Sequence, residues 1–419
     1  MTCRLVVLLA GCCGGAAAAA DWPGWRGPGG MGHTPDRALP LTWGGKADTN
    51  VAWKVPLPGV EAKAGQDQNQ SSPVVVGGKV FVTASYWPGG KADPKAFPEH
   101  HVACHAAADG KLLWDTPVPP GPWLFSDLRG GYTAPTPAAD AERVYVVFGS
   151  AVVAALDHAG RPAWRRELNP HKFDVALAAS PVLFGETLIL QLDQLGGESR
   201  LLALDRKTGE PRWEQKRPKL GFAHSTPVVA TIDGKPQLLV SASNAVQGVD
   251  PATGTVLWTC EARGDTVSPV LAGGLVYIDS GRSGPGLAVD PTGTGDVTKS
   301  HVKWKLTQVP EGYSSPVAAG GFLYRLHSPE VLRCVRAATG EVVFTERLPG
   351  VQTACSPVVA DGRVFCASAG KSYVLKAGDA PDVLAVNDLG DRGPASPAVA
   401  DGALFLKGQR WLFCVRGKE

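Results

Sequence analysis

The chain has 419 residues and a nearly neutral balance, with 41 Lys and Arg against 39 Asp and Glu. Glycine (51) and proline (35) make up about a fifth of it, while charged residues are only 19%, below the roughly 25% of ordinary globular proteins. Such dense punctuation excludes long helices, a hydrophobic content of 44% excludes disorder, and the lack of any Lys/Arg run excludes a nucleic-acid partner.

The N-terminus reads as an address. Arg4 is followed by an apolar run over 5–10, a small-residue stretch to Ala20 and a polar, Trp-rich start at Asp21, the pattern of an export signal over 1–20. Ala18-Ala19-Ala20 fits cleavage with release, the expected outcome; Leu9-Ala10-Gly11-Cys12 resembles a bacterial lipobox and would place a lipid anchor on Cys12. Both lead to a periplasmic or secreted protein. No other apolar stretch approaches 20 residues, so no transmembrane helix is expected. Residues 21–49 read as an N-terminal extension and 50–419 as one domain.

That domain is a repeat. Ser/Thr-Pro followed by a short apolar stretch occurs eight times, with prolines at 73, 137, 181, 227, 269, 316, 357 and 397. The intervals are 64, 44, 46, 42, 47, 41 and 40, and all but the first match a four-stranded propeller blade of roughly 40 to 50 residues. In residues 180–213, four short apolar runs are separated by Gly-Glu, a polar loop and Lys-Thr-Gly, which predicts a meander of hairpins.

A second landmark closes each unit. Asp205-x-x-x-Gly209-x-x-x-Trp213 is matched by Asp250 to Trp258, by a shorter Asp157 to Trp164 and by a stretched Asp290 to Trp304; Phe344 replaces Trp in the sixth unit. We read Trp53, Trp114, Trp164, Trp213, Trp258, Trp304 and Phe344 as packing residues, each locked over the turn of the adjacent blade with a partner for its indole N–H. The eighth unit, from Ser396, holds only three strands. Residues 50–57, with Trp53, have the length of a fourth, so this segment is expected to pair around 411–415 and close an eight-bladed all-β propeller.

The repeated Asp-turn-Gly-Trp pattern resembles the docking motif of quinoprotein-like propellers. Asp-Trp-Pro-Gly-Trp-Arg-Gly-Pro at 21–28 is similar to the opening of secreted PQQ-binding-like β-propeller repeat proteins. The resemblance spans about 21–419 and implies two functions: a non-catalytic scaffold of the BamB type, or a PQQ-dependent dehydrogenase. The second, as that resemblance implies, needs Ca²⁺ on carboxylate and amide oxygens, a catalytic Asp and a vicinal disulfide. The only adjacent cysteines are Cys12-Cys13, inside the signal, and no acidic run has calcium-loop spacing. We therefore expect no catalytic residues, no metal and no cofactor, with PQQ and Ca²⁺ as the alternative.

Other constellations are bland. His101 and His105 on an extended segment would lie about 13 Å apart, too far to share an ion, and the segment reads as a solvated loop. Cys104, Cys334 and Cys414 sit in apolar runs, where a thiol behaves as a small hydrophobe. Binding is expected on the loops of one face, where Gln70, His224, Arg282, Tyr313, His327, Lys371 and Arg410 fall. The inflated first interval adds loops over 86–101 and 122–132, the latter presenting Trp123, Phe125, Asp127, Arg129 and Tyr132, taken as exposed. The expected partner is a protein or small ligand of the cell envelope, bound by a monomer.

Overall fold

The computed structural model describes residues 21–36, 38–125, 127–172 and 176–417; the expected signal over 1–20, with Cys12 and Cys13, lies outside them. Eight sheets, antiparallel but for one short added strand, form the eight blades of a propeller. In blade 3, Val182–Phe184, Thr187–Leu192, Arg200–Asp205 and Pro211–Lys216 pair in chain order. The two middle strands are covered on both faces by neighbouring blades and so read as continuous apolar runs, whereas the outer strand alternates between exposed and half-buried. Two-residue turns at Gly77-Gly78, Gly273-Gly274, Gly320-Gly321, Asp361-Gly362 and Asp401-Gly402 carry positive φ at both positions, the geometry whose twist matches a hairpin.

The ring closes as the sequence predicts. Val51–Pro56 pairs antiparallel with Trp411–Arg416, with Lys54 opposite Phe413, and so completes a sheet with Ala403–Lys407 and Ala398–Ala400. The extension over 21–49 is packed into the propeller. Trp22 bridges to Val75 in blade 1, the Ala139 N–H of blade 2 donates to the Pro23 carbonyl at 2.7 Å, and the Val359 N–H of blade 7 donates to that of Gly32 at 2.8 Å. Arg26, fully buried, donates to the Met31 carbonyl at 3.2 Å and the Pro316 carbonyl of blade 6 at 2.5 Å. This segment thus straps several blades together across one end of the channel.

Each blade carries a register shift between its third and fourth strands beside the docking position, as at Cys104 against Trp114 and Ala203 against Trp213. A bulge re-aims the side chain that follows it, here toward the neighbouring blade. Trp53, Trp114, Trp164 and Trp304 donate to the carbonyls of Ala107, His158, Arg206 and Ala337 at 2.9 to 3.0 Å. Beneath them Gly110, Gly160, Gly209 and Gly340 have φ of 75° to 80°, and a Cβ there would come within 2.9 Å of the indole. Glycine is required twice over, by conformation and by contact.

Trp258 departs from the expected pattern. Its indole donates to Gln237 Oε1 of its own blade at 2.9 Å and occupies the space that a Cβ on Gly248 would fill. The cause is the stretched turn of the next unit, whose Gly295–Asp296 adds a parallel strand directly beside Trp258 and Thr259. Phe344 joins an apolar cluster with Leu375 and Ala377 of blade 7. Blade 7 has Ala385 at this position, since the outer strand of blade 8 arrives from the N-terminus and no Asp-turn-Gly corner exists there to dock on.

Candidate functional site

The Ser or Thr before each conserved-spacing proline does more than begin a strand. The Ser72 N–H donates to Thr136 Oγ1, and Thr136 to Ser180, Ser180 to Thr226, Thr226 to Ser268, Ser268 to Ser315, Ser315 to Ser356, Ser356 to Ser396 and Ser396 back to Ser72 Oγ, all at 2.9 to 3.1 Å. Proline fixes the backbone immediately after each donor. The result is a closed belt of eight hydrogen bonds joining every blade to the next.

The belt lines a central cavity of about 510 Å³, within the size range of small-molecule sites. Trp25 of the N-terminal strap lines it too and also lines a second cavity of about 240 Å³ on the strap's side. Above the belt stand Gln70, Arg129, His224, Arg282 and Tyr313, all expected from the loop pattern. Arg129 Nε donates to both Asp127 oxygens at 2.9 Å, and Gln70 Nε2 donates to the Arg129 carbonyl at 2.9 Å. Arg282 pairs with Asp265 at 2.8 Å and lies over the Phe222 ring. Tyr313 donates to Glu311 at 2.9 Å, and that hydrogen bond is the chief cause of its raised pKa. His327, Lys371 and Arg410 do not line this cavity; His327 is buried in blade 6.

The loop over 122–132 differs from expectation. Trp123, Phe125 and Tyr132 are buried, not exposed, at 9%, 4% and 0% relative accessibility. Phe125 stacks on Tyr132 with centroids 4.1 Å apart, Trp123 lies 5.3 Å from Phe125, and His171 meets the edge of Trp123. These rings pack on one another and into an apolar cluster with Trp87, Tyr145 and Leu168, which removes the apolar surface that made them binding candidates. Asp127 and Arg129 remain outside this cluster, and Arg129 reaches the cavity.

The histidines also differ. His100, His101 and His105 lie on a buried strand, Glu99–Ala106, not in a solvated loop, and 86–87 end the preceding strand. His100 stacks on Phe148 with an interplanar angle of 5° and is bonded to Ser85 and Ser150 hydroxyls at 2.8 and 2.9 Å; burial pushes its pKa down to about 3. His101 bridges the Tyr86 hydroxyl at 2.9 Å and Asp115 at 2.8 Å. Among the described residues no group of three or more His, Cys, Asp or Glu is placed to hold a metal. Cys104, Cys260, Cys334, Cys355, Cys366 and Cys414 are all buried and unpaired.

Sequence reasoning missed two buried, oppositely charged groups, Lys407 and Asp67. Lys407 Nζ donates to Ser71 Oγ at 2.6 Å and to its carbonyl at 3.0 Å, while Asp67 accepts from the Tyr132 N–H at 2.6 Å. Burial lowers Lys407 to about 7 against the pull of the Asp67 charge, and raises Asp67 to about 6 against backbone N–H donors and, after them, the Lys407 charge. The one signal was a lysine inside the apolar run Ala-Leu-Phe-Leu-Lys.

This architecture defines a quinoprotein-like eight-bladed propeller with a polar, belted channel. The chain belongs to the family described as outer membrane protein assembly factor BamB, whose profile matches residues 98–346 and again 287–382. No curated protein matches. Among solved structures, BamB from Moraxella catarrhalis is similar, with a TM-score of 0.59 at 14% identity over 88% of this chain and 98% of that one. Quinohemoprotein alcohol dehydrogenase ADHIIG from Pseudomonas putida HK5 gives 0.50 at 12% identity over 96% and 81%, and a europium-containing methanol dehydrogenase gives 0.52 at 10% over 92% and 89%. At these identities the likeness is one of fold.

Proposed function

We propose that the protein is a non-catalytic binding module of the cell envelope, periplasmic or secreted, which docks a protein partner on the loop face around the channel mouth. The observation that carries this reading is the make-up of the central cavity. No Asp, Glu or Asn is present among its described lining residues and Gln70 is the one side-chain amide, so calcium would find no carboxylate oxygen there. A proton-abstracting carboxylate is missing from the same lining. The described residues therefore do not fit a calcium-bound quinone, and we derive no step through one. Membership of the BamB family and a mouth carrying Arg129, Arg282 and Tyr313 both support docking. Tyr and Arg are the side chains that dominate binding energy at interfaces.

The test has two arms. Purified protein titrated with PQQ and Ca²⁺ is expected to leave the cofactor's absorbance spectrum unchanged and to oxidise no alcohol; a shifted spectrum with dye reduction would replace this reading by the dehydrogenase one. Site-specific photocrosslinkers at Tyr313 and Arg282 in the native envelope are expected to trap a defined protein. The same probes on the opposite end, at the exposed Pro28, are expected to trap none.

A further inference from the structure

The seam between blades 8 and 1 is built differently from the two that follow it. Between blades 1 and 2, Thr116, two residues after Trp114, donates its hydroxyl to the Gly160 carbonyl at 2.8 Å, and between blades 2 and 3 Arg166, two after Trp164, donates to the Gly209 carbonyl at 3.5 Å. At the closing seam the corresponding residue is Val55, which has nothing to donate, and the Gly110 carbonyl accepts instead from His105 Nδ1 of its own blade at 3.0 Å. That bond places the proton on Nδ1, and burial pushes the pKa of the ring down, so Nε2 of the neutral imidazole carries a lone pair. His105 is only 3% exposed and its Nε2 has no partner among the described residues, an arrangement that costs free energy until a donor completes it. His105 shares the face of Glu99–Ala106 that Ala103 turns toward blade 8, and there both line a crevice of about 440 Å³ between residues 55–62 and blade 1.

The polar side chains of this crevice are left with acceptors. Asp115 Oδ1 accepts from His101 Nδ1 at 2.8 Å, no described residue donates to Oδ2, and the carboxylate is close enough to His105 to act on its ring electrostatically. Glu61 stands exposed on the rim. No described lining residue is Lys or Arg, and among the described residues none pairs with Asp115 or Glu61: Lys63 and Lys111 are exposed, and Lys54 is held over the Trp411 and Phe413 rings. His101 lies between Asp115 and Glu99, at 2.8 and 3.5 Å, so even its imidazolium form leaves the three carboxylates in excess. The rest of the wall, with Val55, Pro56, Pro58 and Leu112, is apolar. We propose that this crevice binds a primary alkylammonium group, its N–H donors shared among Asp115, Glu61 and His105 Nε2 and its methylene chain laid along the prolines and Leu112. An ammonium has three donors and no acceptor, which is the complement of this lining. An anion would face carboxylates with no cation to hold it, and a metal ion would lack a described group of three ligating side chains.

None of the crevice's lining residues lines the central cavity, so this inference stands or falls apart from docking at the channel mouth. Calorimetric titration of the full chain at constant ionic strength should use cadaverine, Nα-acetyl-lysine methylamide, tetramethylammonium and pentanol as probes. Cadaverine and the lysine derivative distinguish a free polyamine from a protein side chain as the source of the ammonium. Saturable binding of at least one of these two is expected, weakened about tenfold or more in a Glu61→Gln/Asp115→Asn variant. Tetramethylammonium, a cation without donors, and pentanol, a chain without charge, should be silent. Glu61→Gln alone, at an exposed position, should fall between wild type and the double variant and serves if the latter is poorly folded. In ¹⁵N-histidine spectra the Nε2 resonance of His105, identified by its loss in His105→Gln, should shift as the site fills. The proposal is overturned if neither amine saturates the protein below about 10 mM, if tetramethylammonium or pentanol binds as tightly as the amines, if both carboxylate variants bind like wild type, or if the His105 resonance stays fixed at saturation.

Discussion

The indole of Trp213 lies over Gly254 of the next blade, so close that a Cβ on that glycine would come within 2.6 Å of the ring. Gly254 sits at φ 76°, a conformation that costs other residues roughly 1–2 kcal/mol. The pair joins two blades by shape alone, since Trp213 Nε1 has no hydrogen-bond partner among the described residues. Trp213→Ala is therefore expected to destabilise by about 3 kcal/mol, and Gly254→Ala by more than the backbone term of about 1 kcal/mol. Urea unfolding of both variants checks this; a loss under about 0.5 kcal/mol for Trp213→Ala would mean that the ring contributes little to the blade contact.

Trp164 provides the contrast. Its indole makes the same contact over Gly209 but also donates to the Arg206 carbonyl at 3.0 Å. Replacing each by Phe keeps an aromatic plane in place, so the two substitutions differ chiefly in that hydrogen bond. Trp164→Phe should cost about 1 kcal/mol more than Trp213→Phe. Equal losses would assign the energy to packing alone.

Ring closure rests on a strand supplied from far away in sequence. Removing residues 21–57 deletes Val51–Pro56 together with the strap, leaving Trp411–Arg416 as an open edge. Unpaired edges recruit other chains, so the truncated protein should lose its single cooperative transition and self-associate, as read by scanning calorimetry and light scattering. A truncated monomer with unchanged Tm would remove the closing strand from the account.

The reach of the sequence can be judged from the same elements. The blades, their number and the closing strand were legible because turns of Gly or Asp-Gly and apolar runs act locally, and each repeat restates the pattern. The belt was visible only as Ser/Thr-Pro spacing; that each N–H reaches the next blade's hydroxyl is a product of closure. Trp258 was misread because the stretched turn that displaces it belongs to the following unit. Trp123, Phe125 and Tyr132 were misread for a related reason: three rings in one loop look like exposed contact chemistry until the apolar cluster that receives them, with Trp87 and Tyr145 from distant strands, is known. The mouth residues Gln70, His224, Arg282 and Tyr313 were found because loop position alone settles which end of the channel they face.

Buried histidines set the response to acid. Burial holds His100 at about 3, His171 at about 4 and His327 at about 3, against an ordinary value of 6.5. A lowered folded-state pKa means that the unfolded chain takes up the proton first. The stabilisation is then complete above pH 6.5 and is lost as pH falls toward the folded values. Each such histidine contributes about 1.4 kcal/mol per pH unit to the slope. Asp67, raised by burial to about 6, acts oppositely between 3.8 and 6, because there the folded state holds the proton and gains as pH falls. The combined slope of these four groups over that interval should thus be closer to two protons than three. Stability is expected to fall continuously from pH 6.5 to 4. His100→Gln, which keeps hydrogen-bonding groups for Ser85 and Ser150, should lower the slope by about one proton. Urea unfolding at half-unit pH steps measures it directly, and an identical slope in the variant would show that His100 titrates alike in both states.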